Sequence, residues 1–280
     1  MIDVLLATYR PDERMLAAQV ESIHAQRGEA VNVMVREDVA GEGASANFSA
    51  LLGESEAPYA AFADQDDVWE ADKLQTLRAK MGELESDHGT DCPLLVFCDA
   101  MLVDADLRPF GGGTFLERQG VDVRAGLAFP RLLMQNFISG NTMLFNAALR
   151  RKAGSVPPEA LMHDCWMALV AAAFGAIGFV DRPLVRYRQH GGNVVGATLS
   201  AAAKQRARAA EGAGAFRARL SRNVAQAQAF VSRFGDESPE SARALADFPS
   251  MGWLGRRRAL IRHRLWKHGL FRNLALLALA

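Results

Sequence analysis

Tyr59-Ala60-Ala61-Phe62-Ala63-Asp64-Gln65-Asp66-Asp67-Val68-Trp69 decides how this chain is read. An apolar run short enough to be a buried strand ends in three carboxylates, which places them at the carboxyl end of a sheet strand, where α/β folds bind ligands. Crowded carboxylates repel each other, and a hard divalent cation carrying substrate phosphates relieves that repulsion. The plainer alternative is a solvated turn in which Asp67 caps the following helix.

On either side the chain alternates strands and helices. Ile2-Asp3-Val4-Leu5-Leu6-Ala7 reads as a first strand. In the helix after it, Pro11 sits in the first turn, Asp12 and Glu13 complement the dipole, and Leu16, Val20 and Ile23 recur on one face. Val31 to Val35 is a second strand, Ala46 to Leu52 a short helix, and Leu94 to Cys98 a fourth strand. Residues 70 to 85 form a helix carrying Leu74, Leu77, Met81 and Leu84 at helical spacing. Phe110-Gly111-Gly112-Gly113 and Ser155-Val156-Pro157-Pro158 mark loops around a helix or strand segment near Leu132 to Asn146. Residues 163 to 174 are a helix, and strands follow at Ile177 to Asp181 and Leu184 to Arg188. The pattern predicts an α/β fold, a mostly parallel sheet flanked by helices, with a helical extension over residues 198 to 234.

Composition narrows the function classes. The chain has 280 residues and 30.4 kDa, half of them apolar and 23% charged, so it can bury a sizeable core and is far from disordered composition. Its longest weakly charged apolar stretch, Trp166 to Val180, is too short to span a bilayer. Asp3 interrupts what a signal peptide would need, and Cys92, Cys98 and Cys165 form no Cys-x-x-Cys pair. These features predict a cytoplasmic protein without a disulfide framework or structural zinc. The net charge of zero conceals a division: 17 Lys and Arg face 27 Asp and Glu through residue 200, against 15 and 5 after it.

Five segments, in order, carry a family resemblance. Phe62 to Trp69, with Asp72-Lys73-Leu74 after it, resembles the Asp-x-Asp region of family 2 glycosyltransferases, particularly the rhamnosyltransferase-like branch. Val4 to Tyr9 is similar to that family's first strand, Ser139 to Asn146 to its acceptor-side motif, His163-Asp164-Cys165-Trp166 to its catalytic-base motif, and Tyr187 to Asn193 to its late His loop. The resemblance implies a GT-A domain over residues 1–196, a helical basic extension over 197–280, a nucleotide-sugar donor (UDP- or dTDP-linked), a glycan or lipid-linked acceptor, and Mg²⁺ or Mn²⁺.

Carried over residue by residue, the resemblance implies that Thr8, Tyr9, Arg10, Asp38, Asp64 and Asp67 lie on the donor side and that Asp66 and His190 bind the metal. It makes Asp164 the base that takes the acceptor's proton, in an inverting reaction. Asn141 and Trp166 shape the acceptor pocket. Several have a structural alternative: Asp164 as a helix cap, Trp166 as core, His190 as a solvated loop residue, and Arg186 and Arg188 as a strand edge rather than phosphate contacts. The sequence departs from the family after the second strand. Only Arg36 to Gly43 fills the space of an Asp-Asp-Gly-Ser type turn, a helix and a further strand, which needs roughly 30 residues. A catalytically weakened scaffold or sugar-binding protein is therefore the competing reading. A sugar nucleotidylyltransferase is disfavoured because Thr8-Tyr9-Arg10-Pro11 is not a Gly-rich phosphate loop.

From Arg256 to Arg272 seven Lys or Arg residues interleave with Ile261, Leu265, Trp266, Leu270 and Phe271, the pattern of one basic amphipathic helix. Two settings suit it: an anionic membrane surface on the cytoplasmic face, or packing on the acidic part of the chain or on a second subunit in a homodimer. No nucleic-acid recognition motif accompanies the charge.

Overall fold

The computed structural model describes residues 1–189 and 212–280. The expected boundary at 196/197, residues 198–211 of the helix expected over 198–234, and His190 lie outside the described residues. The elements are β1 (Ile2–Thr8), α1 (Glu13–His24), β2 (Val31–Glu37), α2 (Ala44–Glu54), β3 (Tyr59–Asp64), β4 (Val68–Trp69), α3 (Lys73–His88), β5 (Leu94–Val103) and β6 (Pro109–Thr114). After these come α4 (Phe115–Gln119), α5 (Val123–Gly126), α6 (Phe129–Met134), a 3₁₀ turn at Gly140–Thr142, β7 (Met143–Asn146), α7 (Ala147–Ala153), α8 (His163–Phe174) and β8 (Ala176–Arg188). The C-terminal helices are α9 (Gly212–Phe234), α10 (Glu240–Ala246), α11 (Trp253–Arg262) and α12 (Leu270–Leu279).

The sheet runs β2-β1-β3-β7-β5-β8-β4, with β6 on β5. The long pairings, β1 with β2, β1 with β3 and β5 with β8, are parallel, while β7 runs against both β3 and β5 and joins the two parallel blocks. Period-two alternation divides the core between the faces. Ile2, Val4, Leu6, Ala61, Ala63, Val96 and Cys98 face α1 and α3, packing with Ile23, Leu74, Leu77 and Met81. Leu5, Phe62, Leu95, Phe97 and Phe145 face the other way, toward Phe48 of α2, Trp166 of α8 and Phe230 of α9. Leu245, Leu260, Leu265 and Leu276 belong to that same cluster, so the C-terminal helices cover one face of the sheet. Each such large side chain contributes roughly 1.5–3 kcal/mol when fully buried.

Several expectations are corrected in detail. Pro11 precedes α1 instead of entering it, because Asp12 is the N-cap, its carboxylate accepting from the Arg14 and Met15 amides. The glycine run 111–113 lies within β6, which pairs with β5 at its two ends, Thr114 with Met101 and Pro109 with Val103. The two strands expected over 177–188 are one, β8, whose register shifts opposite Asp99. Pro183, which lacks an N–H, sits at that irregularity, where it is tolerated. The basic tail is two helices, not one: the chain turns at His263–Gly269, with Arg264 at φ 52 and Gly269 at φ 95.

β2 is one edge strand of the sheet, and no strand lies beyond it among the described residues. Residues 38–43 pass straight from β2 to α2, which is the shortening that the interval 36–43 predicts.

Candidate active site

The carboxyl ends of β1 and β3 are neighbours, Ala7 pairing with Asp64, so the acidic string meets Thr8-Tyr9-Arg10. Gln65 joins them: its side-chain carbonyl accepts from the Tyr9 N–H at 2.8 Å, and its amide donates to the Tyr9 carbonyl at 3.1 Å. The backbone groups of Tyr9 are thereby engaged, leaving its exposed ring and the guanidinium of Arg10, 5.2 Å over that ring, facing solvent. Arg10 adopts φ 43, the left-handed conformation, at this strand end. Thr8 is buried, its hydroxyl 3.4 Å from the Arg36 carbonyl.

After the acidic string, β4 pairs antiparallel with β8, Val68 with Arg186 and Trp69 with Val185. That pairing brings Tyr187, Arg188 and Gln189 to the carboxylates. Asp64 and Asp66 are partly exposed and Asp67 is fully buried. Burial raises Asp64 to about 7, with the charges of Asp66 and Asp164 adding to it. Burial also pushes Asp67 well above the ordinary carboxylate range, although it accepts hydrogen bonds from Asn141 Nδ2 and from the Arg188 N–H at 3.1 Å.

Asp164 reaches the same place from the first turn of α8, where the helix dipole favours a carboxylate. It accepts from the Gly140 N–H at 3.2 Å and from the Cys165 N–H at 2.5 Å. Burial raises it to about 6. The turn Gly140–Thr142 ties the acids together: the Gly140 amide holds Asp164, the Asn141 side chain holds Asp67, and the Asn141 carbonyl accepts from Lys73 Nζ at 2.6 Å. Gly140 has no room for a side chain, since a Cβ there would lie 2.8 Å from His163 Nε2. His163 is buried between Phe48 and Phe62, ring centroids 4.0 and 4.7 Å away, and burial lowers it to about 3, so it is neutral.

Three residues that the sequence reading left without a role belong to this site. Lys73 is fully buried with its ammonium 3.2 Å over the Trp69 ring, and burial pulls it down to about 7 against the charges of Asp67 and Asp64. Tyr187 is buried beside the carboxylates, and its phenol is raised above its ordinary value by burial and by Asp64 and Asp67. Gln65 is the third. A lysine six residues after the acidic string is the one signal in the sequence for such a counter-charge.

Other expected site residues are placed differently. Trp166 is core: it is fully buried against Phe230 and Phe234, its indole N–H donating to the Ala153 carbonyl at 3.1 Å. Asn141 is likewise fully buried and supports Asp67, so neither side chain lines a pocket here. The Asp38 carboxylate accepts from the amides of Gly43 at 2.7 Å and Glu42 at 2.9 Å, closing the short loop after β2, and these bonds, that of Gly43 foremost, hold it below its ordinary value. A cleft of about 190 Å³, lined by Arg36, Glu37, Asp38 and Asn47, opens beside that loop. Arg186 pairs with Glu70 at 2.8 Å, and Arg188 is buried. A larger cavity of about 500 Å³, between Pro93, Arg151 and Phe174, lies at the amino end of β5, away from the carboxylates.

No family model and no curated protein matches the sequence. Among solved structures, the mannosyltransferase PcManGT from Pyrobaculum calidifontis, solved with GDP-Man and Mn²⁺, aligns over 99% of this chain and 78% of its own, with a TM-score of 0.49 at 13% identity. Residues 1–349 of S. aureus TarS, solved with UDP-GlcNAc, align over 94% of this chain and 91% of that one, with a TM-score of 0.52 at 14% identity. The likeness to TarS, together with the helix-flanked sheet, shows that the chain has a GT-A fold.

Proposed function

We propose that the chain is an inverting glycosyltransferase that moves a sugar, rhamnose or a related one, from a nucleotide-sugar donor to a glycan or lipid-linked acceptor. The observation that carries this reading is the meeting of Asp64 and Asp66 with Asp164, from separate parts of the chain, at the carboxyl end of β3. TarS holds UDP-GlcNAc on a similar fold, which supports a nucleotide-sugar donor.

The residues fit a divalent ion. Asp64 and Asp66 offer two partly exposed, mutually repelling carboxylates. Among the described residues no three acidic, His or Cys side chains form a complete cage, and Mg²⁺ sites of this type use one or two carboxylates plus substrate phosphates. Asp66, with Asp64 beside it, would hold the ion, which would neutralise charge on the departing nucleoside diphosphate. His190 remains part of the proposal as a further ligand.

Asp164 performs the proton transfer. The acceptor hydroxyl gives its proton to the carboxylate as its oxygen bonds to the anomeric carbon, and the bond from that carbon to the diphosphate oxygen breaks, its electron pair leaving with the diphosphate. Attack opposite the leaving group inverts the centre. A base raised to about 6 is mostly ionised at neutral pH and more basic than an ordinary aspartate. The Gly140 and Cys165 amides fix its position. Thr8, Tyr9, Arg10 and Asp38 border the donor side, with the cleft after β2 as the place for the base.

A scaffold or sugar-binding role is the second reading, favoured by the edge position of β2 and by an Asp38 carboxylate already bound to its own loop. Calorimetric titration with UDP- and dTDP-sugars, with and without Mn²⁺, separates the two. The enzyme reading expects ion-dependent donor binding that disappears in Asp66→Ala; binding of a glycan with no response to any nucleotide sugar would replace it with the scaffold.

A further inference from the structure

The two C-terminal helices use only half of their surface. Ala259, Leu260, Leu265 and Leu276 face the core, and Arg257 locks the pair together by donating to the carbonyls of Ala278 and Ala280, each at 3.1 Å. Arg131 fastens the turn between them through the Lys267 carbonyl at 3.2 Å. The opposite face is open. On α11, Leu254, Arg258, Ile261 and Arg262 recur at helical spacing as exposed residues, with Trp253 beside them; on α12 the exposed row is Leu270, Leu274 and Ala278, with Phe271 next to it. Trp253, Leu254, Ile261, Leu270, Phe271 and Leu274 are each more than half exposed, a concentration of large apolar side chains unlike the rest of the described surface.

We propose that this face is a docking surface for anionic lipid bilayers. Charge selects the partner: residues 248–280 contain no Asp or Glu and carry seven Lys or Arg between Arg256 and Arg272. Apolar side chains enter the headgroup boundary while the arginines on the same face meet lipid phosphates, and Trp253, with the Arg257 guanidinium 3.7 Å over its ring, suits the interface. Among the described residues no helix is long and apolar enough to cross a membrane, so the helices lie along the surface. The rigid tie to the core means that the whole sheet would be carried to the membrane in one orientation.

Sedimentation of the full chain with vesicles tests this, without any donor, so the outcome is independent of the proposed chemistry. Vesicles of phosphatidylcholine and phosphatidylglycerol in equal parts should bind the protein, and phosphatidylcholine alone should not. An arginine near an anionic surface is worth about fivefold in affinity, so Arg258→Gln with Arg262→Gln should weaken binding about thirtyfold. Phe271→Ser with Leu274→Ser should weaken it at least as much, both pairs leaving the melting temperature unchanged because the side chains are exposed. Acyl-chain bromination should quench tryptophan emission, and Trp253→Phe should remove most of that quenching. Equal binding to both vesicle types, or no binding together with a dimer that Phe271→Ser separates, would overturn the proposal.

Discussion

Asp164→Asn is expected to make the folded protein more stable at alkaline pH and less stable at acid pH while abolishing transfer. The sign follows from the carboxyl group. Its value rises from the ordinary 3.8 to about 6 on folding, so between these values the folded state binds more protons than the unfolded chain, and stability falls as pH rises through that window. A difference of about two pK units corresponds to a cost of about 3 kcal/mol, fully in place above about pH 7. The amide carries no such cost. It does lose a partner: of the Gly140 and Cys165 N–H groups that now donate to the two oxygens, one would face an NH₂ group, at about 1–2 kcal/mol. The variant should therefore be about 1–2 kcal/mol more stable than the parent near pH 8, and that advantage should fall to about zero near pH 5.

Urea unfolding at the two pH values, followed by tryptophan emission, reads this directly, since m should be unchanged. Donor affinity should stay nearly intact, and in the parent kcat/KM should decline below about pH 6 as Asp164 is protonated. Equal destabilisation of the variant at both pH values would refute the reasoning, because it would mean that the carboxylate is not held ionised against its burial.

Gly175→Ala should be among the most damaging single substitutions outside the site: a Cβ would lie 1.7 Å from the backbone carbonyl oxygen of Pro93, and relieving it requires main-chain movement at about 3 kcal/mol or more, visible as a lowered melting temperature. Trp166→Ala should cost about 3–5 kcal/mol in unfolding free energy yet leave acceptor KM of the folded fraction unchanged, as expected of core and not of an acceptor pocket. Lys73→Met should cost about 1–3 kcal/mol by leaving the buried Asn141 carbonyl without its donor and removing the charge near Asp67, and Asp67→Asn in the same chain should recover part of it; strictly additive losses would show that the two do not interact.

Most of the fold is legible because its signals are local. Ile2 to Thr8, Tyr59 to Asp64 and Leu94 to Val103 are apolar runs that the sheet buries on both faces, and residues 163–174 read as a helix whose bounds match α8. The acids are legible for the same reason: a carboxylate that follows a buried strand is at that strand's carboxyl end. What is not legible depends on long-range pairing. Phe110 to Gly113 has loop composition, and only the proximity of Val103 and Met101 makes it part of a strand. The tail reads as one amphipathic helix because the spacing of its apolar residues continues through His263–Gly269, while the turn there is imposed by packing of Leu260, Leu265 and Leu276 into the core.

The misplacement of Asn141 and Trp166 has a deeper cause. A motif records which residues occur together, and a residue that holds a catalytic group leaves the same trace as one that touches substrate. At Gly140–Thr142 that distinction is physical: the turn offers an amide to Asp164, a side chain to Asp67 and a carbonyl to Lys73, so one short segment sets the mutual position of groups that repel. Repulsion without restraint would drive Asp64 and Asp67 toward solvent, where their values would return to ordinary. Buried donors in place beforehand supply that restraint: the fully buried Asn141 holds the fully buried Asp67, whose neighbours Asp64 and Asp66 remain partly exposed.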